Sequence, residues 1–244
     1  MYYDKFKMNM YSQNGEDGVL LRIMDELGIE SSSSWCVDVG AYDGIAYSNV
    51  RQFINQGSNA VMIEPANVGG ACEPKFKQLK HLPDTFPNVT VINAGVISPS
   101  MEEDEINGIK NFIKSWQTDC GDDNPEDVPF YRLDDILIKT DIAEDYDVLN
   151  IDTDRCDHEI WQDHEKYKPK IVIIEIESSI PPDSTEQGGG LASFSHSLKI
   201  AKEKGYSLVC HTGNMIYVRN DLVDRLSIPR ELINSVELFN RSWL

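Results

Sequence analysis

Apolar and polar positions along this chain alternate between two patterns. Short continuous apolar runs recur at Trp35–Val39, Asn59–Pro65, Val89–Ile97, Tyr146–Asp152 and Lys170–Glu177, and each is long enough for a buried strand. Between them, apolar residues recur three and four apart. Val19, Leu20, Ile23, Met24 and Leu27 predict an amphipathic helix over 11–29. Glu16 and Asp17 fall where acids favour a helix start, with Ser12 as its N-cap. Further helices are expected at Ile45–Gln56, 71–80, Asp157–Tyr167 and Leu191–Lys204, with a helical turn at Leu133–Leu137. Lys170–Glu177 is the most apolar run, as a central parallel strand should be. Tyr206–His211 and Met215–Arg219 flank Thr212-Gly-Asn214, a hairpin signal. Strand–helix repeats closed by a hairpin predict an α/β fold with a doubly wound, mainly parallel sheet. Residues 98–129 break the rhythm: they are acidic, carry Pro99, Pro125 and Pro129, and read as an irregular insertion with a short helix or strand near Ile109–Trp116.

Composition changes the picture only in its charge. The 244 residues suit one large domain, 1–244, but 22 Lys+Arg against 41 Asp+Glu leave a net charge of -19. Such a surface repels phosphate backbones, which argues against nucleic acid as a partner. Cys36, Cys72, Cys120, Cys156 and Cys210 are scattered singly, the usage of reduced thiols, with Cys36 and Cys210 in apolar runs and expected in the core. No segment approaches a membrane span, and Met1–Lys7 has no apolar leader. The expectation is a soluble, cytoplasmic protein with no membrane partner.

Candidate chemistry gathers at strand ends. Asp38, Glu64, Asp152, Glu175 and Glu177 all fall at or near the carboxyl end of a predicted strand, where open parallel sheets bind ligands. The first strand also runs through Gly40-Ala-Tyr-Asp-Gly44 into its helix, and glycines there let backbone approach a ligand closely. Glu64 lies 24 residues beyond Gly40, where a nucleotide-binding sheet places an acid to accept both ribose hydroxyls. GxGxxG is absent, which favours an adenosine-bearing ligand other than a dinucleotide.

Val37-Asp-Val-Gly-Ala-Tyr-Asp-Gly44 resembles the first motif of class I S-adenosylmethionine-dependent methyltransferases. More closely, the chain resembles the FkbM-type methyltransferases. The similarity is carried by Ser12-Gln-Asn-Gly-Glu-Asp17, Ile63-Glu-Pro65, Leu133-Asp-Asp-Ile-Leu137, Leu149-Asn-Ile-Asp-Thr-Asp154 and Lys168-Pro-Lys-Ile-Val-Ile-Ile-Glu175, and it spans about residues 11–219. It implies a three-layer, seven-stranded class I sheet closed by an antiparallel hairpin. It also implies S-adenosylmethionine as cofactor and a small-molecule acceptor, a hydroxyl on a sugar or natural product. Gly40, Ala41, Asp43 and Gly44 would pass beside the methionine and ribose, and Asp38 would orient that loop or the amino group. Glu64 would bind the ribose, Asn93 and Ala94 would flank the adenine, and Gln13 would approach the carboxylate. Loop amides such as Gln13 and Asn93 also commonly tie down backbone. One position departs from the family pattern: an acid–glycine pair is usual after the fourth-strand acid, and this chain has Asp154-Arg155.

Asp152 is the residue expected to face the reacting centre. In some class I enzymes an acid there joins others after the fifth strand around a divalent cation. Asp152, Asp154 and Glu175 or Glu177 offer hard oxygen ligands suited to Mg²⁺. Alternatively, Asp152 contacts only cofactor or substrate while Asp154 caps the helix beginning near Asp157. A hydroxyl acceptor needs a base, and His158, six residues past Asp152, is the histidine placed to serve. Two other readings stand beside these. Asp152-Thr153-Asp154 also matches the DxD of metal-dependent glycosyltransferases, and a methyltransferase-like domain can lose turnover and only bind.

Overall fold

Seven apolar runs pair into one sheet in the computed structural model, which describes residues 2–65, 74–119, 128–184, 187–188 and 191–239. The strands are β1 (Trp35–Val39), β2 (Asn59–Ile63), β3 (Val89–Ile92), β4 (Val148–Ile151), β5 (Ile171–Glu175), β6 (Tyr206–His211) and β7 (Asn214–Arg219), in the order β6-β7-β5-β4-β1-β2-β3. β1 to β5 pair in parallel, while β7 runs antiparallel to both β5 and β6. Crossovers send the chain from β1 outward to β3, then from β4 outward the other way. The direction reverses between β1 and β4, so a crevice opens at their carboxyl ends.

The helices are α1 (Glu16–Leu27), α2 (Arg51–Asn55), α3 (Pro74–Thr85), α4 (Glu103–Asp119), α5 (Leu133–Leu137), α6 (Asp157–Asp163) and α7 (Phe194–Lys204). α1 buries Val19, Leu20, Ile23, Met24 and Leu27, the residues its periodicity singled out. β4 and β5 are continuous buried apolar runs, broken only by Asn150 and by Glu175 at the end of β5. Trp161 of α6 is fully buried and packs against Tyr206 and Tyr217, with ring centroids 5.7 and 5.2 Å away. Cys36, Cys156 and Cys210 are buried free thiols, while Cys72 and Cys120 lie outside the described residues. Among the described residues no helix is long and apolar enough to cross a membrane.

Several expected boundaries shift. The helix after β1 is not Ile45–Gln56 but the single turn Arg51–Asn55, because Asp43 and Tyr47 shape the chain between. The Asp43 Oδ1 accepts the N–H groups of Ile45 and Ala46 (2.8 and 2.6 Å), and Tyr47 sits at φ 63°, which no right-handed helix admits. Gly15, at φ 96°, takes the N-cap position expected of Ser12, whose Oγ accepts the Asp17 N–H at 3.1 Å instead. The run Val89–Ile97 divides: β3 stops at Ile92, and Gly95–Val96 pairs with Phe130–Tyr131 in a separate two-stranded ladder. α6 ends at Asp163, short of Tyr167, where His164 Nδ1 meets Asp134 Oδ1 at 2.5 Å and the other oxygen accepts the Lys166 N–H. α7 starts at Phe194, capped by Ser193 Oγ on the His196 N–H.

The largest correction is the insertion. Residues 103–119 form a 17-residue helix whose first turn carries Glu103, Asp104 and Glu105. Acids at that end satisfy the helix dipole, and Ile106, Ile109 and Ile113 keep one face out of full exposure. High polarity disguised this helix, since only one stripe of it meets the rest of the protein.

Gly40 carries the closest strand approach. At φ 84°, a Cβ there would stand 1.7 Å from the Asp152 carbonyl oxygen. Gly28, the C-cap of α1 at φ 71°, has nothing within 4 Å of its notional Cβ. Gly28→Ala should therefore lose about 1 kcal/mol, the left-handed backbone penalty alone. Gly40→Ala should lose about 3 kcal/mol or more in urea unfolding. Equal losses at both sites would contradict this account.

Candidate active site at the β1–β4 crevice

Backbone geometry builds the floor of the site. Past β1, the Gly40 and Ala41 N–H groups both reach the Ile63 carbonyl (2.9 and 3.2 Å), and Asp152 N–H returns to Val39 (2.9 Å). The ends of β1, β2 and β4 are thus held side by side. The following turn closes through Gly44 N–H on Ala41 at 2.8 Å, with Tyr42 at φ 49°. Over this floor lies a cavity of about 360 Å³, within the range of small-molecule sites.

One wall is polar. Asp38 is 1% exposed, and its Oδ1 accepts Asn150 Nδ2 at 2.8 Å. Asn150 Oδ1 in turn accepts Asn49 Nδ2 at 2.9 Å, and Ser48 lies 3.4 Å from the second Asp38 oxygen. Burial pushes Asp38 up to about 6, against the pull of these donors. Glu64 Oε2 accepts the Tyr42 N–H at 2.8 Å, and burial pushes this carboxyl up to about 7. Its other oxygen has no hydrogen-bond partner among the described residues.

The floor towards β5 is acidic. Carboxylate oxygens of Asp152, Asp154 and Glu175 all lie within 4.8 Å of one another. Burial and the neighbouring Asp157 and Glu175 hold Asp152 well above the usual carboxylate range. Burial likewise lifts Glu175 to about 7. Asp157 is fully buried: its Oδ1 takes the Thr153 N–H (2.8 Å) and hydroxyl, and its Oδ2 has no hydrogen-bond partner among the described residues. The opposite wall is apolar, made by Ile109, Phe112 and Ile113 of α4 with Phe130. The Arg155 guanidinium stacks over Phe112 at 4.5 Å, joining α4 to the β4–α6 loop across the mouth.

The crevice brings together Gln13, Asp38, Gly40, Ala41, Glu64, Ala94, Asp152 and Asp154, all of which line the cavity. Other candidates sit elsewhere. His158 is 1% exposed, points away towards α7, and pairs its Nε2 with Ser197 Oγ at 2.8 Å. Burial drives it down to about 3, so it neither reaches the cavity nor presents as its base. Asp43 spends its carboxylate on its own turn, and Gly44 faces α3, where a Cβ would meet Leu79 at 2.9 Å. Asn93 is exposed and outside the cavity lining. Glu177 stands apart from the three-carboxylate group and accepts from Ser179 N–H at 3.1 Å. Asp154 does not cap α6; it sits exposed at φ 62°, a conformation aspartate tolerates better than most.

Sequence reasoning missed Asn150, Asn49 and Ser48. Asn150 carried a usable signal, a lone amide inside a four-residue apolar strand. It also missed the α4 wall, hidden in the acidic insertion.

A family model, the methyltransferase FkbM domain, matches residues 38–208. Among solved structures, the chain is similar to a methyltransferase FkbM from Methylobacillus flagellatus, with 15% identity and a TM-score of 0.43 over 77% of this chain and 44% of that one. It is also similar to a TehB-like SAM-dependent methyltransferase from Corynebacterium glutamicum, with 10% identity and a TM-score of 0.39 over 86% and 89% of the two chains. Fibrillarin from Aeropyrum pernix, solved with natively bound S-adenosyl-L-methionine, aligns with 11% identity and a TM-score of 0.45 over 82% and 71%. The chain thus spans less than half the length of the Methylobacillus protein. No curated protein matches the chain.

The raised Glu64 has a consequence for stability. Its ordinary value is 4.5, so between there and about 7 the folded protein holds a proton that the unfolded chain has released. Stability therefore falls as pH rises through that window. In urea unfolding across it, Glu64→Gln should show a shallower fall than the wild type. Identical slopes would mean that Glu64 is not desolvated.

Proposed function

The chain belongs to the FkbM methyltransferase family, and on that premise we propose that it moves a methyl group from S-adenosylmethionine to a hydroxyl of a sugar or small natural product. The observation that carries the reading is Glu64 beside the Gly40–Tyr42 loop at the β1–β4 crevice, lining the cavity with one carboxylate oxygen unpartnered among the described residues. An acid at the end of β2 accepts ribose hydroxyls. Asp38 keeps the loop in place through Asn150 and Ser48 rather than by touching the cofactor itself. Ala94 and Gln13 line the same cavity, and on this reading Ala94 flanks the adenine while Gln13 meets the cofactor's carboxylate. The acidic floor favours a sulfonium, which is cationic.

In the transfer, the acceptor oxygen attacks the methyl carbon while the carbon–sulfur pair withdraws onto sulfur. The hydroxyl proton must leave as the carbon–oxygen bond forms. Asp152, held above the ordinary carboxylate range by burial and neighbouring acids, is the group on the cavity floor suited to receive it. Holding both substrates in one crevice supplies a further part of the rate. The α4 wall and Phe130 shape the acceptor side.

A second reading adds a metal. The oxygens of Asp152, Asp154 and Glu175 fit a hard cation such as Mg²⁺, and the charge of nearby Asp157 acts on Asp152. Such an ion would lower the pKa of the acceptor hydroxyl.

Titration calorimetry should show micromolar binding of S-adenosylmethionine, weakened about tenfold or more by Glu64→Gln. Asp152→Asn should lower methyl transfer at least about a hundredfold with cofactor affinity kept. Loss of turnover on chelation, restored by Mg²⁺, would select the metal reading; unchanged turnover would select Asp152 as the base. Binding of a nucleotide sugar and not of S-adenosylmethionine would overturn the proposal in favour of a glycosyltransferase. Cofactor binding without transfer to any hydroxyl acceptor would reduce the protein to a binding module.

A further inference from the structure

Residues 9–14 form an arm ahead of α1, and its polar groups are tied inward with few exceptions. The Oδ2 of Asp17, a fully buried residue, accepts the N–H groups of Met10, Tyr11 and Ser12 at 2.7, 2.7 and 2.9 Å. Asn9 Oδ1 accepts the Gly15 N–H, and its Nδ2 donates to the Gln13 carbonyl at 2.7 Å. Glu16 is also fully buried. Its Oε2 accepts the Asn14 N–H at 2.8 Å, while its Oε1 accepts the Thr212 hydroxyl at 2.7 Å and the Asn214 amide at 3.2 Å. Thr212 and Asn214 belong to the β6–β7 turn, so Glu16 bridges the arm to the far end of the sheet.

Acids in a first helical turn ordinarily serve the helix itself, half in water. These two do not: α1 starts on Gly15 with no side-chain cap, and both carboxylates are buried against other segments. Removing two carboxylates from water is tolerable because both oxygens of Glu16 and the Oδ2 of Asp17 are supplied with donors, although Asp17 Oδ1 is buried without a partner among the described residues. Amid this network the Gln13 side chain stands out. It is exposed, lines the cavity, and its amide has no hydrogen-bond partner among the described residues.

We propose that Glu16 is a positioning residue for cofactor binding. Together with Asp17 it holds the arm rigid, and through Thr212 it fixes the arm to the β6–β7 turn, so that the Gln13 amide meets the cofactor already in place. Fixing the loop beforehand spares binding the entropy of ordering it. The inference rests on the cofactor reading above.

A double-mutant cycle read by titration calorimetry with S-adenosylmethionine tests it. Gln13→Ala should weaken binding about tenfold, the loss of one hydrogen bond to a charged group. Glu16→Gln should weaken binding about fivefold in the wild type and less than about twofold in the Gln13→Ala background, because it acts through Gln13. Thr212→Val should reproduce that pattern from the other side of the bridge, and Thr212→Ser should restore wild-type affinity; this pair keeps the test open if Glu16→Gln does not fold. A merely structural role predicts the same loss from Glu16→Gln with or without Gln13, and additive losses would overturn the inference alone. Wild-type affinity in Thr212→Val would overturn it too. No binding by the wild-type protein would overturn the cofactor reading and the inference with it.

Discussion

The contact between the ends of β1 and β4 is the constraint from which the rest of the site follows. Gly40 presses against the Asp152 carbonyl so closely that no side chain fits between them, and the Asp38–Asn150 hydrogen bond ties the same two strands two residues deeper. Parallel strands that meet this tightly, with their crossovers leaving in opposite directions, must open a crevice just beyond. Everything with chemical potential then sits on that crevice's rim. Glu64 lines it just past β2 and Asp152 just past β4, and Glu175 at the end of β5 lies beside Asp152, because parallel strands end on the same side.

That arrangement has an electrostatic cost. Asp38, Glu64, Asp152, Asp157 and Glu175 are all pushed upward, chiefly by burial. Asp38, Glu64 and Asp152 line one cavity, and perturbed acids gathered there mark it as the candidate site. Elsewhere the acids are used up structurally. Asp134 holds the end of α6, and Asp17 and Glu16 hold the N-terminal arm. The family-like segments Ser12–Asp17 and Leu133–Leu137 therefore owe much of their composition to backbone satisfaction rather than to direct ligand contact.

What was legible in the sequence follows the strength of its periodicity. The central strands read clearly because they are buried on both faces and so are almost wholly apolar, whereas β3 at the edge exposes Thr90. α1 read clearly because its stripe is wide. α4 did not, since it is a surface helix rich in acids, and its apolar positions meet only a cavity wall. The loop after β1 misled for a different reason. Ile45–Gln56 looks helical in composition, but Asp43 and the left-handed Tyr47 decide the backbone there, and turn chemistry outranks propensity. His158 misled because sequence distance from Asp152 says nothing about the side of a helix on which a ring lies.

The sequence by itself determined the alternation of strands and helices, the antiparallel finish, and the placing of acids at strand ends, since these depend on local period and on residue type. Its resemblance to a family pointed to a methyl donor. Only the tertiary structure decided which acids share a site and which are spent on backbone. It sent Glu177, Asn93 and His158 away from the cavity, brought Asn150 and Asn49 to Asp38, and turned part of an acidic insertion into an apolar wall. The reason is geometric: hydrogen-bond partners and cavity walls come from segments a hundred residues apart, and no local pattern records that they will meet.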